Sequence, residues 1–309
     1  MNEEILIKIL NIVLLLIVPF IMVGIIRKTK AFFGARKGAS IFQPLYDFIK
    51  LMKKTSIYSN STTAIFRIAP VVGFACVLFA CLFIPVIKGQ SILNIQGGLI
   101  IFSYALGLSK FLSLIASMET ASSFEGMGCS REACFTTIIE PAFFVVIASI
   151  MAICKVYTFD SLSMIIQNSG SIGYLIVAFA VLALFIMLLA EGCRVPVDDP
   201  STHLELTMIH EVMILDNCSS ELGLITWASA MKMFLLSSLI SALILPQNLS
   251  LWASVGAFLC VLLVISILIG VLESAIARLR MSHVFEFIFV MNSFALVIAS
   301  LTAVKMYGV

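Results

Sequence analysis

The chain has 309 residues, 61% of them hydrophobic and only 12% charged, where soluble domains carry roughly 25% charged residues. That balance excludes an ordinary soluble enzyme, and a formal net charge of +2 offers no basic face for nucleic acid. The eight cysteines (Cys76, Cys81, Cys129, Cys134, Cys154, Cys193, Cys218 and Cys260) lie mostly in apolar runs and form no C-x-x-C pair. They read as small buried hydrophobes, so neither a metal nor an iron–sulfur cluster is expected on this chain.

A bilayer core of about 30 Å needs about 20 apolar residues in helical form. Eight stretches qualify, predicting an all-α polytopic membrane protein in one domain, with spans near 5–26, 70–87, 97–117, 133–154, 172–190, 224–245, 249–272 and 284–304. The first is expected to be retained, because Met1-Asn2-Glu3-Glu4 is not a basic leader. Internal repeats, the mark of many secondary transporters, are not visible.

Lysine and arginine set the orientation. The segment between the first two spans holds Arg27, Lys28, Lys30, Arg36, Lys37, Lys50, Lys53, Lys54 and Arg67, and Arg131, Arg194, Arg278 and Arg280 fall on the same side. Only Lys8, Lys88, Lys155 and Lys305 fall opposite, so both termini are predicted outside and the long loops inside. Among the acids only Glu3, Glu4 and Asp160 belong to the outer side. The inner face therefore mixes both signs densely, as a docking surface for a soluble partner would.

Beyond Gly38, residues Ile41, Phe42, Leu45, Phe48, Ile49, Leu51 and Met52 recur at helical spacing, with Asp47, Lys50, Lys53 and Lys54 on the polar side. This predicts an interfacial amphipathic helix over 39–54. A plain surface helix does not account for Arg36, Gln43 and Asp47, which are candidates for partner contact. Ionisable groups inside a bilayer are costly and are functional candidates by default. Lys110 and Lys232 lie within the third and sixth spans, Glu140 precedes Pro141 in the fourth, and Glu286 opens the eighth. Glu119, Glu191 and Glu273 lie at inner span ends. Such a set can pass protons; structural ion pairing between helices is the alternative.

Residues 191–223 form an acidic inner loop. Asp198-Asp199-Pro200-Ser201-Thr202 reads as a helix start. A helix beginning there would carry His203, His210 and Glu211 on one stripe. His210-Glu211 is followed by Val-Met-Ile-Leu, so a zinc-type H-E-x-x-H motif is absent.

Taken in order, these segments resemble the eight-span membrane subunit of respiratory complex I and of its relatives, the group 4 membrane-bound nickel–iron hydrogenases and formate hydrogenlyases. The resemblance rests on Arg36 and Gly38 with Gln43, Asp47, Lys50 and Leu51; on Phe66-Arg67 with Ala69-Pro70; on Glu119-Thr120, Ser130-Arg131-Glu132 and Glu140-Pro141; on Glu191, Arg194, Pro196, Asp198 and Glu205-Leu206; and on Glu273-Ser274 with Ala277-Arg278. It implies a non-catalytic subunit that docks a soluble redox arm and couples electron transfer to proton or sodium translocation in a prokaryotic cytoplasmic membrane. Expected partners are hydrogenase-like large and small subunits, which carry iron–sulfur clusters and, in a true hydrogenase, a nickel–iron centre, and antiporter-like membrane subunits; a variant complex whose soluble partner is not a hydrogenase stays open. Glu119, Glu140, Glu191 and Glu205 carry over as proton-pathway positions, joined by Lys110, Lys232 and Glu286. Arg131, Glu132, Arg194, Asp198, His203, His210 and Glu211 join Arg36, Gln43 and Asp47 as docking positions. The family's E-A-E run is here Ser201-Thr202-His203, and its E-Y-S-G stretch is Leu215-Asp216-Asn217-Cys218. These departures favour a hydrogenase-type relative over a quinone-reducing one. An independent ion transporter is the reading of a different class.

Overall fold

The computed structural model describes residues 2–59, 62–155, 157–165, 170–199, 208–246 and 248–307. They form α1 (Asn2–Phe33), α2 (Gln43–Met52), α3 (Ala64–Cys81), α4 (Gly98–Glu119), α5 (Ser123–Cys154), α6 (Ser171–Glu191), α7 (His210–Met213), α8 (Ser219–Ile244), α9 (Leu251–Ala275) and α10 (Met281–Tyr307), with a 3-10 turn at Phe159–Met164. Eight of these helices are long and apolar enough to cross a membrane. The architecture is all-α, with α2 and α7 as short helices in the connections.

α8 is the axis of the bundle. In its most apolar stretch 78% of the residues are buried, against 28–50% in the other spanning helices, and it packs on α1, α2, α3, α6 and α9. Its sequence explains this position. Ser237, Ser238 and Ser241 are buried and return their hydroxyls to carbonyls of their own helix. Small residues that satisfy themselves let neighbouring backbones approach closely in an apolar medium. The outer helices pair as α3 with α4, α10 with α5 and α6, and α1 with α9.

Several boundaries differ from the sequence expectation. The second span starts six residues earlier than 70 and ends at Cys81, so 82–87 is not helical. Phe83, Ile84, Val86 and Ile87 are apolar because they are buried beneath the connections of that end. Asp160 pins this layer by accepting from Ser91 N at 2.9 Å and Asn94 Nδ2 at 2.8 Å. α5 begins ten residues before 133, which puts Glu140 well inside the helix. Tyr157, Tyr174 and Trp252 are exposed at this same end, as amphipathic rings at a membrane boundary are.

At the opposite, charged end, α2 is seated by rings. Phe48 meets Trp227 with centroids 4.8 Å apart, and Trp227 also meets Phe20 at 5.4 Å and Phe74 at 4.7 Å. The approach to α2 crosses α1 at Gly24, where a β-carbon would collide with the Ile41 carbonyl. Gly24→Ala should therefore destabilise the fold by about 1–3 kcal/mol through overpacking. Gly256→Ala, at an open helix surface, should not. Melting of the two detergent-solubilised variants checks this, and equal midpoints would count against the crossing.

Candidate functional site

The buried face of α5 changes character along its length. Toward the apolar end it carries Ile139, Phe143, Val146 and Ile147; toward the charged end the same face carries Glu132, Gly128 and Glu125. Lys110 occupies the buried face of α4 between Phe102 and Ala116. Helical periodicity thus points a cation and a carboxylate at each other inside the bundle.

Lys110 is ion-paired with Glu191, the last residue of α6. It lies 3.8 Å from Glu132 Oε1 and donates to Thr136 Oγ1 at 3.0 Å. The other Glu132 oxygen faces His210 Nε2 at 3.1 Å. The second ring nitrogen of His210 is 3.4 Å from Asp198 Oδ2, and Asp198 Oδ1 is 3.1 Å from Arg278 Nη2. Glu191, Lys110, Glu132, His210, Asp198 and Arg278 therefore form one chain of alternating charge. A second set lies beside it: Arg194 meets Glu273 at 3.2 Å, while Lys30 meets Glu273 at 3.0 Å and Asp199 at 3.6 Å.

Two cavities flank the chain. One of about 250 Å³ opens toward the charged end and is lined by Arg27, Phe74, Glu132, Arg194, His210 and Glu211, among others. The other, of about 50 Å³, reaches past Ser103, Glu140 and Phe144. Lys110, Glu191 and Lys232 border both, so these three side chains stand between the two spaces.

The structure redistributes the sequence candidates. Lys110, Lys232, Glu140 and Glu191 come together as one site. Glu119 does not join them: it accepts from Thr63 N at 2.6 Å, at the start of α3. Glu286 is exposed on α10 beside His283 at 3.0 Å. Four of the proposed docking residues, Glu132, Arg194, Asp198 and His210, lie inside the network, the first three of them buried. Gln43 donates to Asp47 at 2.8 Å and Arg27 reaches Asp47 at 3.4 Å, which ties α2 to α1. Arg131 donates to the Met208 carbonyl at 2.9 Å. Arg36 is exposed, and Glu211 lines the larger cavity. His203 and Glu205 lie outside the described residues. Lys30, Asp199 and Arg278 join the site although the sequence marks none of them as a site residue: it displays their charges, and Arg278 as part of the family-like Ala277-Arg278 segment, but not the tertiary pairings.

The helix start expected at Asp198–Thr202 runs into residues outside the described ones; Met208 and Ile209 are not helical, so His210 and Glu211 belong to a separate turn, α7. Asp198 nevertheless acts as a cap at a distance, accepting from the backbone of Ile209 at 3.2 Å and of His210 at 3.0 Å. The turn is pressed onto α5 at Gly128, where a β-carbon would meet Val212 and the Ile209 carbonyl. Among the described residues no group of three or more His, Cys, Asp or Glu is placed to hold a metal ion.

Burial opposes the His210 imidazolium, but the neighbouring Cys193, Glu132 and Asp198 hold its pKa well above the ordinary value. Burial would raise the Asp198 carboxyl, yet the His210 ring and amide and Arg278 bring it below the usual range. The His210 contribution is thus full below about pH 6.5 and is lost as pH rises through its raised folded value. The Asp198 contribution is present above its unfolded value of about 3.9 and is lost as pH falls through its lowered folded value. Amide exchange at Ile209 and His210, corrected for intrinsic rate, should be slow near neutrality and accelerate at alkaline pH. His210→Gln should abolish that alkaline step; an unchanged profile would remove His210 from the role.

Comparison with known proteins bears on the family and the fold. A family model described as NADH dehydrogenase matches residues 6–304. Hydrogenase-4 component C of Escherichia coli is 28% identical over 279 residues, covering 87% of this chain and 86% of that protein. Formate hydrogenlyase subunit 4 of the same organism is 23% identical over 265 residues, with 84% and 85% covered. In fold, a chain of the membrane-bound sulfane sulfur reductase, an archaeal respiratory membrane complex, superposes with a TM-score of 0.81 at 22% identity, covering 96% of this chain and 98% of that one. The chain belongs to the NADH dehydrogenase family, as a multi-pass membrane subunit related to those of complex I and the hydrogenases.

Proposed function

We propose that the chain is the non-catalytic membrane subunit of a group 4 hydrogenase-like complex in a prokaryotic cytoplasmic membrane, where it docks a soluble redox arm and couples electron transfer to proton or sodium translocation. The observation that carries this reading is the continuous charge chain from Arg278 and Asp198 in the loop region to Lys110 and Glu191 in the bundle. Its two ends have different surroundings. The loop end lies among residues that a docked partner would touch; the bundle end borders the small cavity with Glu140.

The coupling follows from shared partners. Glu132 divides its two oxygens between His210 and Lys110. A redox event that moves or recharges the loop alters the His210–Glu132 pairing. Glu132 then competes more strongly for the Lys110 ammonium, and Glu191 loses part of its counter-charge. Lys232 and Glu140 border the same space and are placed to receive or release a proton in response. The soluble partners, not this chain, would supply iron–sulfur and nickel–iron chemistry.

A quinone-reducing role is the second reading. The larger cavity supports it, because Val23, Phe74, Ile225 and Met233 give one wall an apolar lining while Arg27 and His210 supply donors. Sensitivity of the intact complex to quinone-site inhibitors separates the two.

The primary test is a tagged pull-down from gently solubilised membranes with nickel and iron quantified. A nickel-containing large subunit with a cluster-bearing small subunit is expected; recovery of the chain alone would favour an independent transporter. Glu140→Gln should lower ion translocation at least tenfold while the complex still assembles, and wild-type pumping in that variant would refute its place in the path. Arg36→Ala should reduce recovery of the soluble arm without loss of the membrane partners.

A further inference from the structure

Seven of the eight thiols have passive surroundings. Cys81, Cys129 and Cys154 are buried, Cys134 and Cys260 stand on outer helix faces, and Cys76 is half-buried within α3. Cys218 exchanges hydrogen bonds with the backbone of Ile57, accepting at 3.2 Å and donating at 3.0 Å. Cys193 differs in how the chain holds it. α6 closes with Arg194 N donating to the Leu189 carbonyl at 2.9 Å and Gly192 N to that of Leu188 at 2.9 Å. Cys193 takes the left-handed position of this cap, at φ 55°, where a β-carbon is disfavoured and glycine is the rule. From there it lines the larger cavity with His210, Arg194, Lys110 and Lys232.

Reactive thiols occupy electropositive, partly exposed surroundings. Cys193 is half-buried, and its neighbour is the His210 ring, which also faces Glu132 at 3.1 Å. The cavity holds a second feature, donors that lack an acceptor. Among the described residues Arg194 Nε and Asn217 Nδ2 are buried without a partner. Their residues are 9% and 8% exposed, and both border the same cavity as Cys193. A buried donor left unmet is costly. The apolar wall of Val23, Phe74 and Ile225 offers it nothing, and a thiol sulfur is only a weak acceptor. An oxygen added to that sulfur is the kind of acceptor these two donors lack.

We infer that Cys193 is an oxidation site: a hydroperoxide entering the larger cavity converts its thiol to a sulfenic acid, held by the unmet donors of Arg194 and Asn217, and so loosens His210 from Glu132. The sulfur attacks one peroxide oxygen; an S–O bond forms and the O–O bond breaks. Sulfur loses two electrons, and the peroxide is reduced to water or an alcohol. His210 gives a proton to the leaving oxygen and takes the thiol proton in return, so the ring ends as it began. A thiol reductant reverses the step. The added oxygen takes up space beside a ring whose contact with Glu132 is a single pairing. The chemistry at sulfur stands apart from the proposed function. Its consequence rests on that reading: the charge chain breaks between the loop and Lys110, and coupling acquires a redox-sensitive link.

The test exposes the tagged complex, in its own membranes, to hydrogen peroxide with a dimedone-type probe that traps sulfenic acids, and maps the adducts by peptide mass. Cys218, half-buried at the same charged end, is the control. Label should reach Cys193 at least tenfold faster than Cys218; equal rates, or Cys218 labelled first, would overturn the inference. His210→Gln should slow labelling of Cys193 at least tenfold and leave Cys218 unchanged, and an unaltered Cys193 rate would overturn the part given to the ring. Without the probe, peroxide should lower ion translocation at least fivefold, with recovery in dithiothreitol. In Cys193→Ser the ratio of treated to untreated translocation should stay near one; equal inhibition of both complexes would overturn the link to coupling. Labelling is read without translocation, so a complex that never pumps counts against the proposed function, while the adducts still decide the site at Cys193.

Discussion

The Lys110 ammonium is the group on which the charged half of the molecule depends. Moving one such ion out of water costs several kcal/mol even after relaxation, and only close counter-charges offset it. Two carboxylates from two other helices, Glu191 and Glu132, supply them. Each pairing then leaves a lone pair or proton unsatisfied, and that remainder recruits the next residue. The free oxygen of Glu132 takes His210, the free nitrogen of His210 faces Asp198, and the free oxygen of Asp198 takes Arg278. A single buried cation in α4 thus orders α5, α6, the turn at α7 and the segment leading into α10.

This logic also separates two kinds of rigidity. Around α8 the structure is held by dry packing with hydroxyls turned onto their own helix, an arrangement with one solution. At the charged end several acceptors compete for few donors: Lys110 is shared between Glu191 and Glu132, and Lys30 between Glu273 and Asp199. Competing pairs of similar geometry are where a modest perturbation from outside changes which partner wins. The likeness to hydrogenase-4 component C and formate hydrogenlyase subunit 4 covers 87% and 84% of the chain and so takes in both halves.

How much was legible in the sequence depended on whether a residue's role was local. Span number follows from hydropathy because the bilayer imposes it on each helix separately. The shift of the second span at 82–87 was hidden, since apolar residues buried under connections look the same as residues facing lipid. Glu119 and Glu191 look alike in sequence, both acids at a helix end. One caps a neighbouring helix and the other meets Lys110, a difference set by helix rotation alone. Asp198 shows the same limit: its capping chemistry was visible, but the amides it caps lie eleven and twelve residues on, across residues that no local pattern spans. Glu132 and His210 read as surface docking groups because charged residues in loops usually are; in the fold Glu132 is buried and the α7 turn brings His210 onto it, so both stand within the charge network.

The ring cluster beneath α2 has an optical consequence. The chain contains two tryptophans, and they report on opposite ends: Trp252 is 72% exposed, while Trp227 is stacked among Phe20, Phe48 and Phe74. The indole of Trp227 touches the short helix through Phe48 and the two long helices α1 and α3 through the other rings. Any lifting of that helix changes the polarity around one fluorophore and leaves the other as an internal reference. The protein therefore carries its own emission gauge for the seating of its interfacial segment, with no label attached.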